Sequence, residues 1–322
     1  MTHPLHFPPA PGATVDGAVA RYLASLRPNV KRSTLAIYRA VSENHIHPTL
    51  GSAALRRVTA AQINDYVGSQ LRDGAVSAAT ARSVVRILTA ALQCAGCRDV
   101  AAGIVRPPQA RTGALRAPRV LSDADWRALR TYLLRRGDGP ALGVLLDLYT
   151  GLRIGELCAL RWGDIDLAGG LLQVRRTVQR IAREGGGAKT EVIFDAPKTA
   201  SGRRAVPLPE FLRELLRERV CPPACYLLTG RADRFLEPRT MEARFKTMLR
   251  AAGVSDINFH ALRHSFATRC VDAGVDIKAL SMLLGHADVN VTLNTYVHPS
   301  AEKLRRSVEL LAASVPIGDG EP

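Results

Sequence analysis

Between Val105 and Pro118 the chain carries three prolines and three arginines, with no apolar periodicity. A stretch of this kind cannot continue a helix or sit inside a sheet, because proline lacks the amide donor and its ring restricts the preceding residue. It therefore reads as an extended linker and divides the 322 residues into two bodies, each long enough to bury a core of its own. The expected organisation is a tail at 1–13, a helical first body at 14–106, a linker at 107–119, a larger second body at 120–312 and a tail at 313–322.

The first body reads as four short helices. Thr14 is placed to cap a helix over 14–27 whose apolar face carries Val15, Val19, Tyr22, Leu23 and Leu26. Ser33 is placed to cap a second over 33–44, with Leu35, Ile37, Tyr38 and Val41 on its face. Thr59 begins a third, from Ala60 to about Arg72, closed by Asp73-Gly74. Ser77 or Thr80 begins a fourth that runs to about Cys94. In the second body, Ser122 starts a helix through Trp126, Leu129 and Leu133, and another covers Leu142–Tyr149. Strand signals follow at 171–174 and 191–194, with Gly185-Gly186-Gly187 between them as a hairpin loop, and again at 204–208. Helices are expected at about 209–219, 238–252, 260–273, 276–284 and 301–312. The fold class is mainly α: a four-helix body followed by an α+β body with a small antiparallel sheet.

Charge narrows the partners. The chain carries 44 Lys+Arg against 29 Asp+Glu, a net of +15. Residues 1–119 hold 15 basic and 5 acidic side chains, so the excess is concentrated in the first body. Such a balance suits a polyanion, nucleic acid before an anionic membrane surface. Arg32, Arg82 and Arg86 are the candidate DNA-binding side chains there, although a general preference for arginine explains part of the excess. No apolar run reaches the length of a membrane span, and the first residues lack the basic and apolar segments of a signal peptide, so a cytoplasmic protein is expected. Cys94-Ala-Gly-Cys97 and Cys221-Pro-Pro-Ala-Cys225 have zinc-like spacing but lie far apart, and reduced thiols without metal are the expected state.

Four islands carry chemistry. They are Thr150-Gly151-Leu152-Arg153-Ile154-Gly155-Glu156-Leu157, the run Lys198 to Leu208, His260-Ala261-Leu262-Arg263-His264-Ser265-Phe266-Ala267-Thr268, and Leu284-Gly285-His286 continuing to Tyr296-Val297-His298. Singly each has a plain structural explanation. Arg153 and Glu156 make an ordinary i,i+3 helix pair, His260 and His264 share a helix face as zinc ligands also do, and Tyr296 alone reads as a packed aromatic. Together they suit phosphoryl transfer without a metal. Two fixed guanidiniums neutralise charge that develops on non-bridging oxygens. A lysine beside other cations has a lowered pKa and can protonate a leaving oxygen. Imidazoles bind the phosphoryl group or shuttle a proton, and a phenol needs this cationic setting to become a nucleophile.

The order Arg153, Lys198, His260-x-x-Arg263, His286, Tyr296 resembles the active-site set of the tyrosine recombinase, or phage integrase, family. Glu156 falls where that family keeps an acidic residue bracing the site. Thr-Gly-Leu-Arg, Leu-Arg-His-Ser-Phe-Ala-Thr and Leu-Leu-Gly-His are similar to family signatures, and Ile46-His47-Pro48-Thr49-Leu50-Gly51 with Val58-Thr59 resembles the core-binding (SAM-like) domain of integrases. The resemblance covers about residues 14–312. The ten-residue step from His286 to Tyr296 and the form Val-Thr-Leu-Asn-Thr-Tyr look more like transposon and phage integrases than like dimer resolvases. About a dozen residues precede the first helix, too few for the arm-binding domain of larger integrases.

The resemblance implies a C-shaped clamp on double-stranded DNA and site-specific recombination by a 3′-phosphotyrosyl intermediate, with no cofactor. Tyr296 would be the nucleophile. Arg153, Arg263 and His286 would hold the phosphoryl oxygens, His260 would assist proton transfer, and Lys198 would protonate the leaving 5′-oxygen. It also implies a homotetramer on two DNA sites, with a monomer in the absence of DNA and an accessory directionality protein as a further partner. The last expected helix, 301–312, is placed to dock on a neighbouring subunit or to pack within its own body. Resolution of chromosome or plasmid dimers, type IB topoisomerase activity, DNA binding without catalysis, and a zinc hydrolase remain alternatives at this point.

Overall fold

The computed structural model describes residues 12–108, 119–183, 190–197 and 200–297, together with 305, 308 and 309. The chain divides into two compact units, one formed by 1–116 with 180–192 and the other by 117–179 with 193–322. Among the described residues no helix is long and apolar enough to cross a membrane.

The first unit holds α1 (Val15–Leu26), α2 (Arg32–Val41), α3 (Ala60–Arg72), α4 (Ala78–Cys94) and α5 (Arg98–Ala102). The capping residues read from the sequence act at α1, α3 and α4: the hydroxyls of Thr14, Thr59 and Ser77 accept from Gly17, Gln62 and Thr80. Gln62 returns a bond to the Thr59 amide, which completes a capping box. The second helix, α2, departs from the expected span 33–44. It starts at Arg32 after Lys31, without a side-chain cap from Ser33, and passes at Ser42 into a π-helical segment that ends at Gly51. Pro48 lies inside that segment, where its missing amide and its ring disfavour regular α-helix bonding. Ile37 is 59% exposed and off the buried face, whereas Leu35 is buried and Tyr38 and Val41 pack against the core. Among the described residues a fifth, short helix, α5, joins the four expected ones and buries Ala101. The core joins Val19 and Leu23 of α1, Ile63 and Val67 of α3, and Ile87, Leu88 and Leu92 of α4.

The second unit is built around α7 (Gly139–Thr150), whose sequence is apolar on nearly every side and whose Val144, Leu145, Leu146 and Leu148 are all buried. Asp138 caps its start through the Ala141 amide, and Gly151 ends it in the left-handed region at φ 59°. Around it lie α6 (Asp123–Arg136), α8 (Ile154–Cys158), α9 (Glu210–Arg217), α10 (Pro238–Ala251), α11 (His260–Asp272), α12 (Ile277–Leu284) and α13 (Val289–Tyr296).

Among the described residues five strands lie between α8 and α9: β1 (Ile165–Asp166), β2 (Leu171–Val174), β3 (Thr177–Ala182), β4 (Thr190–Asp195) and β5 (Arg204–Pro207). Their pairing corrects the expected hairpin. β2 sits between β1 and β5, antiparallel to both, with Leu172 opposite Val206. The partner of β4 is β3, in a separate two-stranded sheet. β3 was absent from the sequence reading, since its Gln179 and Arg180 weaken the apolar alternation on which a strand assignment rests.

All six cysteines are free, and among the described residues no three His, Cys, Asp or Glu side chains are grouped as metal ligands would be. The glycine-rich loop 185–187, residues 109–118 of the expected linker and nearly all of the expected helix 301–312 lie outside the described residues.

Candidate active site

One end of the second unit gathers most of the chemistry-bearing residues. Gly151 and Leu152 turn the chain out of α7, so Arg153 arrives as the N-cap of α8. The Gly151 conformation is required there: a Cβ on it would meet Phe266 Cδ1 at 2.5 Å. Arg153 is 42% exposed on its side chain, and its Nη1 donates to Glu156 Oε1 at 2.8 Å. Its backbone amide donates to Glu156 Oε2 at 3.0 Å, and its Nη2 donates at 3.4 Å to the carbonyl of Gly285.

Glu156, 3% exposed, is braced from the other side by Arg204 of β5. Arg204 Nη2 donates to Oε2 at 2.9 Å and Nη1 to Oε1 at 3.2 Å, while Nε donates to the Leu283 carbonyl at 2.6 Å. Burial works to raise the Glu156 carboxyl, but the bonds and charge of Arg204, followed by those of Arg153, pull it below its ordinary value. It is therefore a carboxylate that fixes two arginines. The sequence motif contained Arg204 without a role for it. The signal was its position on β5: Arg204 and Val206 face the same way, and Val206 is buried, so an arginine in that register needs a buried partner.

Arg263 lies one turn into α11 and is 2% exposed. Its Nη1 donates to the Gly151 carbonyl and its Nη2 to the Leu284 carbonyl, each at 2.6 Å, and Nη2 also lies 3.0 Å from His286 Nε2. These bonds tie the ends of α7 and α12 to α11, and they leave two of the five guanidinium N–H groups uncommitted to them. Burial, then the charges of Arg153 and Arg204, lower Arg263 to about 10, so it remains a cation at neutral pH.

An arginine only donates, so His286 Nε2 must accept the bond from Arg263 and the ring proton must sit on Nδ1. That proton points at Thr292 Oγ1, 2.8 Å away on α13. His286 is held neutral: burial, followed by Arg263, Arg153 and Arg204, pushes it down to about 4. Thr292 is wholly buried, and the sequence motif contained it without a role for it. Its signal lay four residues before Tyr296, on the same helical face.

Tyr296 ends α13, 8% exposed, with its ring packed against Phe266, Leu280 and Leu284. α13 itself was not expected, because polar Asn290, Thr292, Asn294 and Thr295 interrupt its apolar spacing. The Tyr296 hydroxyl lies 2.9 Å from His264 Nδ1. Burial raises its pKa, with Arg263 and Arg153 opposing. His260 precedes His264 by one turn, exposed at its surface, the two rings meeting edge to face with centroids 4.5 Å apart. Burial and then Arg263 and Arg153 lower His260.

The structure thus brings Arg153, Glu156, His260, Arg263, His286 and Tyr296 into one region of the second unit and adds Arg204, His264 and Thr292. Lys198 lies outside the described residues. Arg32, Arg82 and Arg86 belong to the first unit and are no part of this cluster. Arg82 and Arg86 line a groove of about 750 Å³ along α4 with Arg106, and Arg86 also stacks over the Tyr38 ring. Arg32, 65% exposed on its side chain, pairs at 2.5 Å with Glu191, also grouped with the first unit.

Residues 127–303 match the Phage integrase family, and residues 18–69 match the phage integrase N-terminal SAM-like domain. A stretch of 185 residues is 33% identical to a XerC-like tyrosine recombinase of Caldanaerobacter subterraneus subsp. tengcongensis; it is 52% of this chain and spans about half of that relative, 47%. Over 293 residues the chain is 31% identical to the prophage phiRv2 integrase of Mycobacterium tuberculosis, covering 88% of this chain and 74% of that protein. A tyrosine recombinase XerC of Xanthomonas axonopodis pv. citri is 29% identical over 296 residues, 86% of this chain and 87% of its own. The fold is shared with the Tn1549 transposon integrase in complex with a circular intermediate DNA, at a TM-score of 0.73 and 22% identity, over 92% of this chain and 99% of that one. It is shared too with a lambda integrase tetramer bound to a Holliday junction, at 0.62 and 20%, over 90% and 80%. On the match of its own residues 127–303, the chain belongs to the phage integrase family of tyrosine recombinases.

Proposed function

We propose that the chain is a site-specific recombinase of a mobile element or phage, which cleaves and rejoins duplex DNA through a 3′-phosphotyrosyl bond at Tyr296. The observation that carries this reading is the convergence, on one end of the second unit, of a phenol with two guanidiniums that have N–H groups to spare. Arg153, the more exposed, and Arg263 hold the non-bridging oxygens of the scissile phosphate. Glu156 and Arg204 keep Arg153 aimed. His286 fixes Arg263 and donates to the phosphate only once protonated, since its Nε2 accepts from Arg263 in the neutral ring. The histidine pair that begins at His260 serves proton transfer, and Lys198 protonates the departing 5′-oxygen. The phosphotyrosyl bond retains the energy of the broken phosphodiester, so a 5′-hydroxyl from a partner duplex reseals the strand without ATP.

Arg82 and Arg86 in the α4 groove, and Arg32 beyond its pair with Glu191, are proposed to contact the DNA backbone. Phosphate contacts of this kind make binding fall steeply with salt. Met282, Val289, Val291 and Leu293 stand exposed on α12 and α13, an apolar surface that supports protomer contacts within a tetramer on two duplexes. The protein is proposed to act in the cytoplasm on the nucleoid, with an accessory protein setting direction. The XerC match of comparable identity and coverage favours a second reading, resolution of chromosome or plasmid dimers.

The test is incubation in chelator with nicked suicide duplexes from the DNA flanking its own gene and, separately, from the host's dimer-resolution region. Denaturing gels then report covalent adducts. A Tyr296-dependent adduct and joined product on flanking DNA is the expected result, and on the dimer-resolution DNA alone it selects the second reading. Relaxation of supercoils without joining would make the chain a topoisomerase, and an adduct formed by Tyr296→Phe would overturn the assignment of the nucleophile.

A further inference from the structure

Resting on the reading of Tyr296 as nucleophile, we infer that His264, outside the family-like set read from the sequence, is the residue that takes the hydroxyl proton from Tyr296 as the phosphate is attacked. The geometry narrows the choice. The Tyr296 ring is buried against Phe266, Leu280 and Leu284, and a buried phenol needs a polar partner for its hydroxyl. Among the described residues that partner is His264 Nδ1, at 2.9 Å. The nearby charges cannot serve: Arg263 and Arg153 are cations and accept no proton. His286 has both ring nitrogens engaged, Nε2 by Arg263 and Nδ1 by Thr292. His260 packs at a steep angle on the His264 ring, so it borders the acceptor, and the contact of the hydroxyl is with His264.

His264 is also in the right protonation state. Burial, followed by the charges of His260 and Arg263, pushes it down to about 4, so at neutral pH it is an uncharged imidazole. With its own proton on Nε2, its Nδ1 lone pair faces the Tyr296 O–H. As the tyrosyl oxygen bonds to phosphorus, the phenol proton passes to Nδ1 and leaves an imidazolium. The bond from phosphorus to the 5′-oxygen breaks, and that oxygen takes a proton from a separate donor, the role proposed for Lys198. Rejoining runs the same transfers in reverse. The phosphate's negative charge offsets the Arg263 charge that otherwise disfavours the imidazolium.

His264→Asn separates holding the hydroxyl from taking its proton, because the amide oxygen accepts a hydrogen bond near the Nδ1 position but does not accept the proton. Single-turnover cleavage of the nicked flanking duplex, followed from pH 6 to pH 10 in the full chain, reads the effect. The expected result is a loss of about 10²-fold or more at neutral pH, the usual scale of general-base catalysis, with a rate that climbs towards wild type as rising pH ionises Tyr296. A duplex whose 5′-bridging oxygen is replaced by sulfur removes the need for the leaving-group proton. It is expected to rescue Lys198→Ala and to leave His264→Asn slow. His264→Gln serves as a second variant, and wild type on the sulfur substrate, which needs no substitution, is expected to cleave more slowly in heavy water. A folded His264→Asn protein within about threefold of wild type, rescue by the sulfur substrate, or no slowing in heavy water would overturn the inference. Adduct formation by wild type that still depends on Tyr296 would leave the recombinase reading standing in each of those cases.

Discussion

The buried junction of Glu156 with Arg204 gives a stability prediction whose size follows from its contacts. Glu156→Ala deletes both bonds to the Arg204 guanidinium, the bond to Arg153 Nη1, and the acceptor for the Arg153 amide. Arg204 is 6% exposed and cannot swing into water, so it stays behind as an uncompensated cation. Removing one partner of a buried pair costs roughly 3–5 kcal/mol. A typical domain has about 5–15 kcal/mol in all, so the loss is roughly a fifth or more of the second unit's stability. Replacing both partners together, as Glu156→Leu with Arg204→Met, strands no charge, and the double change is expected to cost at least about 2 kcal/mol less than the sum of the single ones. The two tryptophans of the chain, Trp126 and Trp162, both lie in the second unit, so fluorescence in a urea titration follows that unit without the first. A Glu156→Ala cost below about 1 kcal/mol, or single costs that simply add, would refute the argument that the pair is held in a low-dielectric setting. The pH dependence has a fixed sign. The folded carboxyl lies below its ordinary 4.5, so the contribution is complete above that pH and is lost as pH falls through the folded value.

Gly151→Ala forces an L side chain into the left-handed region, about 1–2 kcal/mol, and drives a methyl into Phe266, about 1–3 kcal/mol more; a lowered urea midpoint by tryptophan fluorescence checks it. Thr292→Val removes the acceptor for the His286 Nδ1 proton and is expected to cost roughly 1–3 kcal/mol while slowing covalent cleavage, with Thr292→Ser restoring both; equal cleavage by the valine variant would sink the tautomer assignment. His264 and His286 each lie at about 4 in the folded chain against an ordinary 6.5, so the unfolded chain takes up protons first on acidification. Stability is therefore expected to fall between pH 6.5 and pH 4 and to do so less steeply in His286→Asn, as urea midpoints across that window will report.

How much of this was legible in the sequence depended on whether the determining interaction was local. The caps at Thr14, Thr59, Ser77 and Ser122 act within three residues, so the helices they begin were readable from the sequence. The spacing of Arg153 and Glu156 likewise announces their bond, since three residues on a helix bring the side chains together. β-pairing is settled by contacts that spacing does not report: 171–174 and 191–194 both look like strands, but their partners are 204–207 and 177–182. Ile37 fell on the wrong face because it was counted with Leu35, Tyr38 and Val41, which follow one another at three-residue steps, whereas a residue two along from Leu35 points to the other side of a regular helix.

The site divides along the same line, and the division is mechanistic as well as practical. Residues proposed to meet a charged substrate are charged or nucleophilic themselves, so Arg153, Arg263 and Tyr296 stand out by residue type. Residues that act on them through a hydrogen bond, whether to hold a side chain or to take its proton, need only sit at one place, and arginine, histidine and threonine do that in any fold. Arg204, His264 and Thr292 are ordinary in the sequence and become specific through burial, 48 residues from Glu156, 32 from Tyr296 and six from His286. Burial also explains why they act jointly. Arg263 bonds the ends of α7 and α12, His286 joins Arg263 to Thr292, and Thr292 and Tyr296 share α13. A shift of α13 large enough to move Tyr296 therefore breaks the Thr292 bond and frees the His286 tautomer. Seating of the tyrosine and alignment of the arginine proposed to receive the phosphate are then one event, which in the proposed mechanism favours attack only when both are in place.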